Sequence, residues 1–170
     1  MTPNAGEHEN EGPWRVLGID PGLNTTGYAV LERCLNYPRV CEAGVIRRTV
    51  RKSLTTRLKH VYDGLTEVIA EFAPSLVALE ELYSHYARPK TAILMGHARG
   101  VICLAAEQAK VPVLSYSATQ VKKTLTGSGR ASKAQVQRAV QRELNLRALP
   151  EPHDVADALA IALCGFYGAK

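Results

Sequence analysis

Three acidic sites, each set among apolar residues, are the places where this sequence could carry out chemistry. They are Asp20 in VLGIDPG, Glu80 in LVALEEL, and the pair Asp154 and Asp157 in HDVADALAIAL. An ionised carboxylate beside buried positions costs several kcal/mol unless another group neutralises it. Three such sites in a chain of 170 residues therefore indicate one shared solution, a pocket of carboxylates that collects divalent metal ions.

Each acid also has an ordinary structural role open to it. Asp20 precedes Pro-Gly and could simply bond the turn that follows. Glu80 and Glu81 point to opposite faces of a strand, so only one of them can share a site with Asp20, and the residues alone do not decide which. Asp154 suits the positive end of a helix dipole. Asp157 is the hardest to explain structurally, because it precedes the small-residue stretch ALAIAL, which must pack tightly on a sheet.

The donor set predicts the type of metal and the type of reaction. No basic residue near these acids in the sequence could neutralise them all, and hard carboxylate oxygens suit Mg²⁺ or Mn²⁺ better than zinc. Two such ions held ~3.5–4 Å apart can activate a water and stabilise the leaving oxygen in phosphodiester cleavage. His153 could add a ligand or a base, but beside Asp154 it fits a surface position in the first turn of a helix equally well.

The hydrophobic pattern predicts the elements that must position these acids. Apolar runs, periodicity and turn residues indicate the order β-β-β-α-β-α-β-α-α-α. Asp20 and Glu80 then end two buried strands, which is where open α/β sheets place their sites, and Pro152 is expected in the first turn of the last helix. The predicted strands are 15–20, 26–32, 40–48, 75–81 and 111–116, and the predicted helices are about 54–72, 88–109, 117–123, 132–146 and 152–166.

Composition limits the class of protein. The chain is 46% hydrophobic, which suffices for one core, and no apolar run approaches the ~18–20 residues of a membrane span. We expect a disordered acidic leader over 1–14, a single domain over 15–170 and a cytoplasmic location. The four cysteines form no CxxC pair, which favours free thiols in a reducing compartment over a disulfide between Cys34 and Cys41.

The distribution of charge points to a polyanionic partner. The net charge is +5, and the leader holds acidic residues but no Lys or Arg, so the body is more basic than the whole chain. Positions 111–142 contain no Asp or Glu. A run of like charges is usually a solvated helix face, but the glycine-containing TGSGR segment could approach phosphates. The basic residues of this run are Lys122, Lys123, Arg130, Lys133, Arg138 and Arg142.

Five segments, in this order and spacing, resemble the RuvC family of crossover-junction (Holliday junction) endodeoxyribonucleases. They span about residues 15–166. The resemblance implies an α/β protein with a ribonuclease H-like fold, a five-stranded mixed sheet flanked by helices. The segments are VLGIDPGLNTTGYAV, ALEELY, GHARGV, YSATQVKKTLTGSGRASKAQV and HDVADALAIAL.

The same resemblance assigns roles to individual residues. It places the four catalytic and metal-binding acids at Asp20, Glu80, Asp154 and Asp157, with two Mg²⁺ ions per site or Mn²⁺ in their place, and so selects Glu80 over Glu81. It also implies a homodimer, for which the apolar helix 88–109 is the candidate interface, and work alongside a branch-migration motor. Residues expected to contact four-way junction DNA are Tyr83, which would stack on a base, and Lys122, Lys123, Arg130 and Lys133.

Three other functions remain open from the sequence. A nuclease of the same fold that processes ribosomal RNA precursors is the main alternative. An ATPase or sugar kinase of the actin type would use DPGLNTTG as a phosphate loop, but it needs a second domain and a second such loop. A catalytically inactive binding module would not need four acids.

Overall fold

The computed structural model describes residues 12–22, 24–35, 37–47, 53–82 and 89–169. Within these ranges the chain forms five strands and five helices. The strands are β1 (Arg15–Asp20), β2 (Thr25–Cys34), β3 (Tyr37–Arg47), β4 (Leu76–Glu80) and β5 (Val113–Tyr116). The helices are α1 (Leu54–Phe72), α2 (Pro89–Gln108), α3 (Ala118–Thr126), α4 (Lys133–Glu143) and α5 (His153–Gly168).

The strands form one mixed sheet in the order β3-β2-β1-β4-β5. The first three strands are an antiparallel meander, as their short connections predict. Strand β4 pairs parallel with β1, and β5 pairs parallel with β4. The element order and the mixed sheet agree with the sequence prediction.

Alternation along the strands sorts their side chains onto two faces of the sheet. Val16 of β1 and Ala78 of β4 belong to a core shared with α3, α4 and α5. Leu17 and Leu79, which are odd-numbered, belong to a second core shared with α1 and α2. Even-numbered positions of β1 and β4 therefore face α5, and this parity places the acids at the strand ends.

Helix α5 lies unusually close to β1 because small residues meet at their contact. A Cβ atom added to Gly18 would lie 2.4 Å from the Ala158 carbonyl oxygen and 2.5 Å from the Ala162 nitrogen. Only a glycine allows this approach of two backbones. The small-residue stretch ALAIAL in the sequence is thus explained by a helix pressed onto the central strand.

The structure corrects several element boundaries, including the start of β5, which is Val113, and the end of α3, which is Thr126. The β2–β3 hairpin continues to Cys34 opposite Tyr37, through Pro38, which is tolerated because β3 is an edge strand. Helix α4 ends at Glu143, before Leu146, and Asn145 adopts φ 49°. Pro152 is the N-cap of α5 and not a first-turn residue, because its carbonyl accepts the Val155 and Ala156 N–H groups.

All four cysteines are free, as expected. Cys34 lies opposite Tyr37 in the ladder and not opposite Cys41, while Cys164 is buried and Cys103 is only half-buried. Residues 1–11 of the predicted leader lie outside the described residues. Among the helices of the described ranges, none is both long and apolar enough to cross a bilayer.

Candidate active site

Asp20 and Glu80 end two neighbouring parallel strands. The β1–β4 register pairs Ile19 with Leu79, so the two acids follow directly at the same edge of the sheet. Both are even-numbered, which places them on the face that α5 covers. Glu81 is exposed. The backbone register thus accounts for the choice of Glu80 over Glu81, which the sequence alone left open.

The start of α5 brings the other two acids to this edge. Gly27 lies opposite Asp20 in the β1–β2 ladder, and a Cβ atom added to Gly27 would lie 2.1 Å from the Asp154 carbonyl oxygen. The first turn of α5 therefore rests on β2 beside Asp20. Asp157 follows one turn later and lines a cleft together with Glu80.

The protonation of Asp20 shows how closely the four carboxyls interact. The pKa of the Asp20 carboxyl is raised from its ordinary value of 3.8 to about 7, mainly by burial and then by the charges of Asp157, Glu80 and Asp154 in that order of size. Burial also raises the pKa of Glu80, with Asp157 as the next cause. Like charges in one partly buried place disfavour ionisation in this way, so the other three predicted acids all lie within electrostatic range of Asp20.

Two lysines line the same cleft. Lys133, the first residue of α4, donates a hydrogen bond from Nζ to Asp157 Oδ2 at 2.8 Å. This bond is the main cause that raises the pKa of Lys133, against the effect of burial. Lys122 of α3 is half-buried in the cleft wall, and its charge lowers the pKa of Glu80. Positive charge thus stands on one side of the carboxylates.

The remaining predicted residues lie elsewhere. Lys123 is exposed and lines a different pocket, with Tyr116 and Cys164. Arg130 is exposed in the turn before α4, and Tyr83 lies outside the described residues. His153 is exposed, and its Nδ1 is hydrogen-bonded to Gln137 Nε2 at 2.8 Å. The structure therefore does not bring Lys123 to the acidic cleft and gives the His153 ring a partner on α4.

The donor set of the cleft fits a hard divalent cation. In the described part of the chain, no three His, Cys, Asp or Glu side chains are arranged around one point so as to hold a metal ion. The chemistry still fits Mg²⁺ or Mn²⁺, because four carboxylates supply only oxygen ligands and a cation would relieve the repulsion that raises the pKa of Asp20.

Sequence reasoning assigned no role to Arg99, which contacts the site from α2. Its Nη1 donates to the main-chain oxygen of Glu80, and its Nη2 donates to Ser115 Oγ at 2.8 Å. The available signal was one arginine in the largely apolar stretch ILMGHARGVICL. An arginine is almost never fully buried unless it is paired, so an arginine in such a stretch is expected to have a specific partner.

Comparisons with known proteins agree on one family. A family model described as "Crossover junction endodeoxyribonuclease RuvC" matches residues 16–165. A protein of that name from Rhodopirellula baltica is 61% identical over 157 residues, covering 91% of this chain and 87% of the relative. The protein of that name from Halothermothrix orenii is 44% identical over 149 residues, covering 88% and 90%.

Solved structures agree with the sequence relatives. Thermus thermophilus RuvC is 34% identical with a TM-score of 0.82, covering 91% of this chain and 95% of that one. The same protein in complex with a Holliday junction substrate is 33% identical with a TM-score of 0.82, covering 92% and 95%. The expected ribonuclease H-like fold is confirmed, and the reported relatives give no support to the ribosomal RNA alternative. The chain belongs to the RuvC family of crossover junction endodeoxyribonucleases.

Proposed function

We propose that this chain resolves four-way DNA junctions by hydrolysing one phosphodiester in each of two strands, with Asp20, Glu80, Asp154 and Asp157 as the catalytic acids. Family membership supports endonuclease action at crossover junctions, and the Thermus relative is described in complex with a Holliday junction substrate. The observation that carries the assignment of residues is the raised pKa of Asp20, whose causes include the other three acids.

Metal dependence is a general property of this family, and the identity and number of the ions are proposed here. Four carboxylates carry more negative charge than one divalent ion can balance, so two Mg²⁺ ions per site fit the donor set, with Mn²⁺ as a substitute. Bound there, the ions would activate the attacking water and stabilise the leaving 3′ oxygen. Asp20 is the candidate shared ligand, because its protonation responds to all three other acids.

The basic residues would hold the scissile strand. Lys122 and Lys133 stand beside the carboxylates in the cleft, where their charges can bind the phosphate next to the cleaved bond and offset the charge that develops on it. Lys123 and Arg130 are exposed and would contact the backbone farther along an arm. Tyr83 would stack on a base at the junction centre.

The proposed assembly is a homodimer formed through α2. Ile93 and Leu104 are 61% and 51% exposed and lie eleven residues apart, which is three turns on one helix face. Between them on that face, a Cβ atom added to Gly96 or Gly100 would meet nothing within 4 Å. Two exposed apolar side chains with glycines between them would let a second helix backbone approach closely. Two sites related by two-fold symmetry would then cut two strands of a symmetric junction.

Sedimentation equilibrium tests this assembly. Leu104→Glu should shift the chain from dimer to monomer, because it buries a charge in the proposed interface. Leu149→Glu is the matched control, since Leu149 is 45% exposed in the loop before α5 and should leave the dimer intact. A wild-type chain that sediments as a monomer at all concentrations would contradict the proposal.

One further partner and one location follow from the proposed reaction. Junction resolution in this family implies cooperation with a branch-migration motor, and action on DNA implies a cytoplasmic location. Addition of the motor to a junction-cleavage assay should redistribute the cleavage positions along a mobile junction. Identical cleavage positions with and without the motor would count against cooperation.

A substrate comparison tests the proposed function as a whole. With Mg²⁺, the chain should cut a synthetic mobile four-way junction far faster than a linear duplex of the same sequence or an RNA–DNA hybrid. A structured ribosomal RNA precursor should remain uncut. If the chain cuts that RNA and leaves the four-way junction uncut, the result would instead favour the ribosomal RNA alternative.

A further inference from the structure

Arg99 joins helix α2 to the ends of two strands at the acidic cleft. Its guanidinium donates from Nη1 to the main-chain oxygen of Glu80 and from Nη2 to Ser115 Oγ. Strands β4 and β5 pair in parallel there, with Glu80 opposite Tyr116. One planar, rigid donor group on α2 therefore fixes the positions of two adjacent strand ends relative to the helix.

This contact bears directly on how the Glu80 side chain is aimed. Glu80 is the last residue of β4. Among the described residues, the ladder continues beyond it only through the Glu81 N–H, which donates to the Tyr116 carbonyl. A strand end held on one edge can twist about its axis, and such a twist would swing the carboxylate. The hydrogen bond from Arg99 holds the same peptide unit from the α2 side, so the orientation of Glu80 depends on it.

The charge of Arg99 acts on the same residue. Arg99 is half-buried, and its charged guanidinium donates directly to the main-chain oxygen of Glu80. Hydrogen bonds donated by a charged group are roughly twice as strong as neutral ones. Arg99 thus offers Glu80 both a geometric restraint and a compensating charge without belonging to the set of acids.

We propose that Arg99 is a positioning residue that orients Glu80 for divalent-ion binding. This inference rests on the proposed function, because it takes Glu80 to be a metal ligand. Arg99 acts through the Glu80 backbone, so its loss should weaken ion binding and leave the strength of junction binding unchanged. Groups that orient metal ligands typically contribute 10–100-fold to metal affinity or activity.

Four variants test the proposal. Arg99→Gln removes the charge and the forked donor. Arg99→Lys keeps the charge but places its donors on one nitrogen. Ser115→Ala removes one of the two acceptors that hold the guanidinium. Lys110→Gln is the control, because Lys110 follows α2 at the opposite edge of the sheet, beside Ser75 and Pro112. Each variant would be measured for Mg²⁺-dependent melting temperature without DNA, Mg²⁺ concentration at half-maximal junction cleavage, and junction affinity in EDTA.

Arg99→Gln should need about tenfold more Mg²⁺ than wild type in both the melting and the cleavage titrations. Arg99→Lys and Ser115→Ala should fall between Arg99→Gln and wild type, and Lys110→Gln should match wild type. Junction affinity in EDTA should stay within about twofold for all four. A merely structural contact would lower the melting temperature without changing the Mg²⁺ midpoint.

Unchanged Mg²⁺ midpoints for Arg99→Gln would overturn the inference. If Arg99→Gln does not fold, unchanged midpoints in both Arg99→Lys and Ser115→Ala would overturn it equally. The failure of the proposed function is distinguishable, because the wild type itself would then show neither Mg²⁺-dependent cleavage nor a Mg²⁺-dependent melting temperature. If the wild type responds to Mg²⁺ and Arg99→Gln has the same Mg²⁺ midpoints, only the role of Arg99 is rejected.

Discussion

Lys133 Nζ donates a hydrogen bond to Asp157 Oδ2 across 2.8 Å, which joins the first residue of α4 to the second turn of α5. The positive charge of Lys133 in the first turn of α4 is unfavourable, because the helix dipole is positive at that end. The negative charge of Asp157 is unfavourable too, because it repels the carboxylates of Glu80 and Asp20. The ion pair relieves the two unfavourable placements together. When divalent ions and DNA enter the cleft, Asp157 and Lys133 would exchange this contact for a metal ion and a phosphate.

Asp157→Asn should separate cleavage from binding. The substitution keeps an oxygen that can accept the Lys133 hydrogen bond but removes a negative charge from the metal site. We expect cleavage to fall by at least about 100-fold, while junction affinity in EDTA is retained. Asp63→Asn controls for the chemical change, because Asp63 is a half-exposed acid of α1 that is also paired with a lysine, Lys59. Nicking by Asp157→Asn at the wild-type rate would reject the metal role of Asp157.

Lys122→Ala should reduce the salt dependence of junction binding. Loss of one phosphate contact lowers the slope of log K against log salt by about 1, and Lys110→Ala should leave the slope unchanged. Lys133→Ala should have a smaller effect than Lys122→Ala in EDTA, because Asp157 already pairs with Lys133. In the Asp157→Asn variant, where Lys133 has no carboxylate to pair with, Lys133→Ala should have a larger effect on junction binding. A slope for Lys122→Ala equal to that of wild type would show that Lys122 does not contact phosphate.

Stability without divalent ions should fall as the pH rises toward 7. The pKa of Asp20 is raised from 3.8 to about 7, so between these values the folded chain keeps a proton that the unfolded chain has lost. The free energy of unfolding then decreases with pH by up to about 1.4 kcal/mol per unit from this group, and levels off above pH 7. Asp20→Asn should remove this component.

Urea unfolding of both proteins in EDTA from pH 5 to pH 8 measures this difference. Mg²⁺ should stabilise the wild type most above pH 7, because Asp20 has then lost its proton and its carboxylate can bind the ion. Identical pH profiles for wild type and Asp20→Asn would show that Asp20 does not carry a raised pKa.

Gly27→Ala should disturb the site through the backbone alone. The added methyl group would lie 2.1 Å from the Asp154 carbonyl oxygen, so the start of α5 must move. We expect a loss of about 1–3 kcal/mol in the free energy of unfolding and a larger relative loss of cleavage. Gly12→Ala is the control, because nothing lies within 4 Å of its added methyl group and Gly12 lies before β1, outside the site and the proposed dimer interface. Equal stability and activity of Gly27→Ala and wild type would contradict the close approach of Asp154 to β2.

The fold was largely predictable because its signals are local. The apolar run RVLGID gives β1 at its observed limits, and the periodic residues after Ser53 give α1 at its observed limits. The misplaced boundaries depend on tertiary context. The third strand was predicted to start at residue 40, but the edge strand β3 starts at Tyr37 and accommodates Pro38. The end of α4 depends on the φ of Asn145, which no periodicity records.

The sequence allowed the acids of the site to be predicted, but not the contacts that the surrounding residues make with them. Residue type and setting singled out Asp20, Glu80, Asp154 and Asp157, and only family resemblance and then strand parity selected Glu80 over Glu81. The pairing of Lys133 with Asp157 and the contact of Arg99 with Glu80 join residues that are 24 and 19 positions apart. Such contacts follow from how helices dock on the sheet, so no local pattern reveals them.

The central claim is that four carboxylates on separate elements form one metal-dependent site for cutting DNA junctions. The most direct measurement is single-turnover cleavage of a synthetic mobile four-way junction, with and without Mg²⁺, by wild type and by the Asn or Gln variant of each acid. The account predicts Mg²⁺-dependent cleavage by wild type and its loss in all four variants, each still binding the junction. Wild-type cleavage rates in any one variant, or cleavage in EDTA, would contradict it.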